Sequence, residues 1–248
     1  YKGEIHFSTG SNTARSSSNF YALNNGIATL FEIRGVGIGK TSFKRRINSG
    51  LAVGFSFLKT AYENSNFIFN QIDIANTYTN DIVLQHERSI YTDVIKAIDI
   101  ESNELIDFST TMHSSKDSYA ISKRDRPLAY IIKKNNYGFI EKLNDVGVNY
   151  VEFEKDTMIY SGGYKVVEFN NKFKVYEKMK MQKVVTSIEY SNNKFSKGDI
   201  LISMNQKRSN LIAELLEPEA PNSYVSFGII KTSLNNQLPI YRIKNFNN

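Results

Sequence analysis

The sequence predicts a mixed α/β unit over residues 1–80, followed by an α+β, strand-rich unit over residues 81–248. Three observations carry that reading. Residues 26–41 run as an apolar, β-branched stretch, an acid, a glycine-rich turn and the start of a helix. From Phe43 to Tyr62 apolar side chains return every three or four positions, the period of a helix. Beyond Asn80 the period falls to two and turn residues punctuate the apolar runs, as strands require.

Taken in order, residues 1–18 are small and polar and read as a loop. Residues 19–23 have room for a short turn of helix before Asn24-Asn25-Gly26, a turn signal. Residues 27–33 are nearly all apolar or β-branched and read as a strand buried on both faces. Glu32 is the exception. An ionised carboxylate in such a run is costly unless it is paired or opens onto a cleft. The carboxyl ends of strands in open α/β sheets are where ligands sit.

After the glycines, Thr41 or Ser42 can cap a helix. Phe43, Ile47, Leu51, Phe55, Leu58 and Tyr62 then form one apolar stripe. Lys44, Arg45 and Arg46 crowd the first turns, where the helix dipole disfavours cations, and read as a solvated face. Asn64-Ser65-Asn66 ends this helix, and residues 67–78 are apolar enough for a second one or an irregular cover.

In the second unit, residues 83–99 and 104–112 read as strands. Residues 128–132, 137–146 and 148–153 read as strand, helix and strand, with Gly147 closing the helix, so the two strands should run parallel. Residues 157–191 have no helical period and suggest two or three strands, and residues 198–203 one more. Ser209 can cap a short helix that Pro218 stops.

Two sites can be built from residues 26–41. One is a phosphate loop, with Gly-Lys-Thr opening a helix whose N–H groups face an anion. Its spacing fails: Gly35 to Gly39 encloses three residues rather than four, and Arg34 stands where the first Gly should be. Nucleotide binding through residues 35–41 is therefore the weaker alternative. The other site is a catalytic carboxylate at a strand end.

Composition narrows the classes further. The net charge is +6, but Lys and Arg are interspersed with Asp and Glu, which describes a solvated basic surface rather than a nucleic-acid track. No apolar run reaches membrane-spanning length. There is no Cys, so neither a disulfide framework nor a thiolate metal site exists. His6, His86 and His113 lie far apart in sequence without a second ligand at metal spacing, so none of them reads as a metal ligand. Glu217 and Glu219 form a close carboxylate pair in a Pro-bounded stretch and read as a helix end and turn rather than an acid–base pair. The chain opens on Tyr1 with no signal-peptide pattern, which suggests a processed or partial chain.

The stretch Asn25-Gly-Ile-Ala-Thr-Leu-Phe-Glu-Ile-Arg-Gly35 resembles the last catalytic strand of the zinc metallocarboxypeptidases, the carboxypeptidase A-like family. Arg15-Ser-Ser-Ser-Asn-Phe-Tyr21-Ala-Leu resembles the approach to that strand in bacterial members. Three later runs resemble, in order, the C-terminal region of bacterial relatives: Arg126-Pro-Leu-Ala-Tyr-Ile-Ile, Leu143-Asn-Asp-Val-Gly-Val, and residues 215–228 with Leu238-Pro-Ile-Tyr-Arg242. The resemblance implies that residues 1–80 are the end of a carboxypeptidase-like catalytic domain and residues 81–248 an accessory domain.

It further implies Glu32 as general base and acid on a zinc-bound water, Arg15 and Tyr21 as substrate-binding candidates, and a peptide substrate. The family's His-x-x-Glu zinc motif is absent here, so the Zn2+ ligands are expected on an upstream part of the same protein and none in this chain. A periplasmic or secreted location, no nucleic-acid partner and no membrane span complete the expectation. The alternative from another class is a non-catalytic binding or structural module, a decayed peptidase.

Overall fold

A computed structural model describes residues 6–35, 37–77, 79–134 and 137–245 of the chain. Residues 1–5, Val36 and Tyr78, which the sequence reading placed in a loop, the glycine turn and the second helix, lie outside the described residues, as does the Tyr137 side chain.

The architecture is mixed α/β, with two sheets and few helices. Strand β1 (His6–Thr9) and helix α1 (Ser17–Leu23) open it, followed by α2 (Phe43–Glu63) and α3 (Ser65–Asn76). Strands β2 (Ile82–Ile98) and β3 (Leu105–Arg124) form a long antiparallel hairpin. Next come β4 (Ala129–Ile132), α4 (Tyr137–Asp145), β5 (Val151–Glu152), β6 (Thr157–Tyr176) and β7 (Met179–Phe195). The chain closes with β8 (Ile200–Ser203), α5 (Ser209–Leu216) and β9 (Gln237–Ile243).

The first sheet has the order β1-β3-β2 and the second β5-β8-β4-β9-β6-β7. Both β4 and β5 pair antiparallel with β8, so they run in the same direction, as a strand–helix–strand unit should, with β8 inserted between them. The period-two pattern sorts the second sheet's side chains cleanly. Tyr130 and Ile132 face a core shared with Phe139, Ile140 and Leu143 of α4, and with Ile212 and Leu216 of α5. Ala129 and Ile131 face a smaller cluster with Phe195, Tyr241 and Ile243. The hairpin joins this body at its base, where Ile82 and Leu84 enter the main core. Its far end is open to solvent: Ile98, Ile100 and Leu105 are all exposed.

Three expectations need correction. Residues 6–9 are a strand rather than loop, because the extended edge of β3 offers them a parallel partner from Thr111 to Ser114. The strand read at residues 104–112 continues to Arg124, since β2 supplies pairing along that length. Residues 27–33 are not a buried strand. Among the described residues they pair with no neighbouring strand, and Ile27, Leu30, Phe31 and Ile33 are exposed. Apolar content marks a segment that seeks cover; it does not supply the partner strand.

The two helices tell the same story. α2 and α3 form where the period placed them, yet neither has a single buried residue. The stripe of Phe43, Ile47, Leu51, Phe55, Leu58 and Tyr62 faces water along its full length. Ser42 is the N-cap of α2, but it sits in the left-handed region (φ 56°) and its side chain makes no capping bond.

Candidate functional site

The approach to Glu32 is fixed by the Asn24-Asn25-Gly26 turn. The Asn24 amide donates to the Phe20 carbonyl at 2.7 Å, tying the turn to the end of α1. Asn25 adopts φ 51°, a conformation Asn tolerates better than most residues. Its side-chain nitrogen donates to Asn76 Oδ1 (2.9 Å) and the Lys207 carbonyl (3.2 Å), and its oxygen accepts from Asn210 Nδ2 (3.2 Å). One side chain thus joins the end of α3, the start of α5 and the segment that leads to Glu32. The Gly26 N–H donates to the Tyr21 carbonyl at 2.9 Å, and a Cβ at Gly26 would lie 3.0 Å from that oxygen.

Beyond the turn the segment has no strand partner among the described residues. Ile27, Ala28, Thr29, Phe31 and Ile33 line a cleft of about 560 Å³ with Ser17, Ser18 and Tyr21 of α1 and with Val53 and Phe57 of α2. Leu30 and Glu32 do not line it, and Leu30 is 63% exposed. A second apolar cleft, about 960 Å³, continues from Ile27 and Phe31 between α2 and α3.

The sequence candidates occupy different sides of α1. Tyr21 faces the cleft beside the Glu32 segment. Arg15 lies across the helix in another cavity, also about 560 Å³, which Asn19, Ala22 and Leu23 line from the opposite face of α1. There its guanidinium sits 3.4 Å above the Tyr176 ring and 5.1 Å from that of Phe227, with Glu177 at 3.8 Å. Glu32 is solvent-exposed and lines neither cavity.

The glycine turn is organised around a cation. Arg46 donates from Nη1 to the Gly35 carbonyl (3.3 Å) and from Nη2 to the Gly39 carbonyl (2.7 Å). A Cβ at Gly35 would lie 2.6 Å from Arg46 Nη1, so a larger residue there would displace the guanidinium. A loop that turns its carbonyls toward a guanidinium is the electrostatic opposite of one that turns N–H groups toward phosphate. This disfavours nucleotide binding through residues 35–41.

The main polar cluster escaped the sequence reading. Glu217 is fully buried, and its carboxylate accepts from Tyr130 Oη (2.5 Å), Tyr164 Oη (2.9 Å) and Arg124 Nη1 (2.5 Å). Glu219 takes both Nη groups of Arg124, at 2.8 and 3.1 Å, and also accepts from the N–H and hydroxyl of Thr186. Burial works against the Arg124 cation, but the Glu219 and Glu217 carboxylates outweigh it and hold the guanidinium above its usual range. Burial, reinforced by the Glu217 charge, pushes both tyrosines well above theirs. The cluster therefore stays ionised at Arg124 and protonated at both phenols, as a structural staple between the hairpin base and the second sheet. The available signal was Glu-Pro-Glu following an apolar helix, with an Arg closing the hairpin.

Among the described residues, no three His, Asp or Glu side chains converge to hold a metal ion. His6 and His113 pack edge to face at 5.3 Å. Nor is any helix among the described residues long and apolar enough to cross a membrane.

With this geometry in view, comparison with known proteins finds relatives along nearly the whole chain. It is 30% identical over 240 residues to Carboxypeptidase 2 of Trichophyton equinum, covering 93% of this chain and 44% of that protein. The likeness is to carboxypeptidases. Carboxypeptidase 2 of Trichophyton rubrum is 29% identical with the same coverage. Probable carboxypeptidase 2 of Arthroderma benhamiae is 28% identical over 213 residues, 82% of this chain and 40% of that one. These similarities support a carboxypeptidase family, and coverage of 93% takes in both the helical part and the strand-rich part. The chain spans less than half the length of the curated relatives it matches. No family model matches it. No solved structure matches it either.

Proposed function

We propose that this chain is the C-terminal part of a zinc-dependent, metallocarboxypeptidase-like peptidase that hydrolyses peptide bonds, with Glu32 as general base and acid. The observation that carries the reading is the segment 27–33. It is apolar and β-branched, leaves Ile27, Leu30, Phe31 and Ile33 exposed, and carries an exposed Glu32 that lines neither of the clefts its neighbours line. An extended apolar segment with unpaired backbone is a liability unless something pairs with it. An upstream part of the same protein, laid against it, makes it an inner strand and puts Glu32 at a strand end, where ligands bind in α/β sheets. The exposed stripes of α2 and α3 gain cover from the same source. Relatives more than twice this chain's length have the residues to supply it.

In this reading residues 1–80 complete the catalytic domain and residues 81–248 form the accessory domain. Glu32 takes the proton from the attacking water and returns it to the amine as the C–N bond breaks. Zinc does not fit on this chain, whose described residues offer no ligand set. We place its ligands upstream. Tyr21, in the cleft beside residues 29–33, is the better placed of the two substrate-binding candidates. A periplasmic or secreted location belongs to the same reading.

The test is release of a C-terminal residue from a blocked dipeptide by the full-length protein, compared with Glu32→Gln. The variant should keep its circular-dichroism spectrum and lose roughly 10²- to 10⁴-fold in turnover, the usual worth of a general base. Near-normal turnover would sink the assignment. The second reading, a non-catalytic module, draws on the missing ligand set. Absence of turnover in zinc-supplied full-length protein would select it.

A further inference from the structure

The cavity that holds Arg15 lies between α1, the base of β2, the β6–β7 hairpin and the turn after α5. Junctions of this kind are where ligand pockets concentrate, and about 560 Å³ is within their usual range. Three features distinguish it from a packing defect.

The first is an uncompensated acid. Glu214 lines the cavity, and its Oε1 accepts from the N–H (3.1 Å) and Nδ2 (2.7 Å) of Asn222. Both partners are neutral, and among the described residues no ion-pair partner of Glu214 is found. Burial, against the opposing pull of the Asn222 bonds, raises its pKa above the ordinary glutamate value. A partly buried carboxylate without a countercharge favours an incoming cation. The second is a cationic rim. Arg15, its guanidinium carbon 3.4 Å from the Tyr176 ring centroid and its Nη2 3.8 Å from the exposed Glu177 carboxylate, and Lys174 line the same cavity. A guanidinium held in place by an aromatic ring presents its edge donors to a carboxylate with little ordering left to do. The third is the wall between them: Ala22, Leu23, Leu84, Met181 and Phe227 are apolar.

We infer that this cavity binds a short peptide with both termini free, its ammonium on Glu214, its carboxylate on Arg15 and Lys174, and apolar side chains against Leu84, Met181 and Phe227. A single amino acid would leave most of the volume empty, and a blocked peptide would leave one charge of the pocket unmatched. The inference stands on this cavity's own chemistry and needs no hydrolysis, since Glu32 is not among its lining residues.

The experiment is calorimetric titration of the full chain with trileucine, in the presence of a chelator so that turnover contributes nothing. N-acetyl-trileucine, trileucine amide and free leucine are titrated in parallel. Saturable binding of trileucine, weakened at least tenfold by either block and in free leucine, supports the site; tenfold corresponds to about 1.4 kcal/mol. Glu214→Gln and Arg15→Met, each confirmed folded by thermal melting, should repeat the effect of the amine block and the carboxylate block respectively. Absence of saturable binding overturns the inference. So does equal binding of the blocked peptides, or leucine binding as tightly as trileucine. The blocked ligands decide the matter even if a variant fails to fold.

Discussion

Glu217→Ala should cost this protein much of its stability. The wild-type carboxylate satisfies three donors, from Tyr130, Tyr164 and Arg124. Arg124 keeps its two bonds to Glu219, so its charge is not orphaned. The two phenols have no such reserve: both are fully buried, and each unsatisfied hydroxyl costs about 1–3 kcal/mol. With two unsatisfied phenols and the void left by the side chain, the loss should fall at about 3–5 kcal/mol. For a protein of this size each kcal/mol moves the midpoint by about 2–4 °C, so thermal melting should show a drop of roughly 6–20 °C. Urea titration gives the free energy independently. Glu217→Gln, which keeps one acceptor oxygen, should fall between. A loss below about 1 kcal/mol in Glu217→Ala, typical of an exposed ion pair, would refute the staple.

Other outcomes follow from the same geometry. In Gly162→Ala the new Cβ would lie 2.7 Å from Ile188 Cγ2 and 2.8 Å from the Tyr190 ring, so overpacking should destabilise by about 1–3 kcal/mol in urea titration; an unchanged midpoint would contradict the contact. Burial raises the folded-state pKa of Glu214 above its unfolded value, so the native state prefers that group protonated. Its favourable contribution is present in acid and is lost as pH rises from the ordinary glutamate range through the raised value. Glu214→Gln should therefore match the parent's melting midpoint at low pH and exceed it at neutral pH, and a constant difference across pH would refute the assignment.

The sequence showed most of the elements and few of their partners. Periodicity located α2, because a stripe at every third or fourth residue is an intrinsic property of the chain. It could not say that the stripe would face water, because burial depends on what lies opposite. The same limit applies to residues 27–33, where an apolar run was legible and the missing neighbour was not. β4 and α4 read close to their observed bounds since Gly147 and the alternation are local signals, but the strand expected over residues 148–153 shrinks to Val151–Glu152, and the insertion of β8 between the strands is a long-range pairing that no local pattern encodes. The Glu217 cluster joins residues 53 to 93 positions apart, so Glu-Pro-Glu looked like a helix end, which it also is. Arg46 was read as a solvated cation and instead closes the glycine turn.

Asn25 carries a consequence for how substitutions far from Glu32 should be felt. Its side chain is bonded to the Lys207 carbonyl and to Asn210, both in the strand-rich half, and lies only seven residues before Glu32. The turn before α5 therefore acts as a surveyor's benchmark from which the acid's position is laid out. Displacing residues 207–210 would shift the start of the segment that carries Glu32 without touching Glu32 itself.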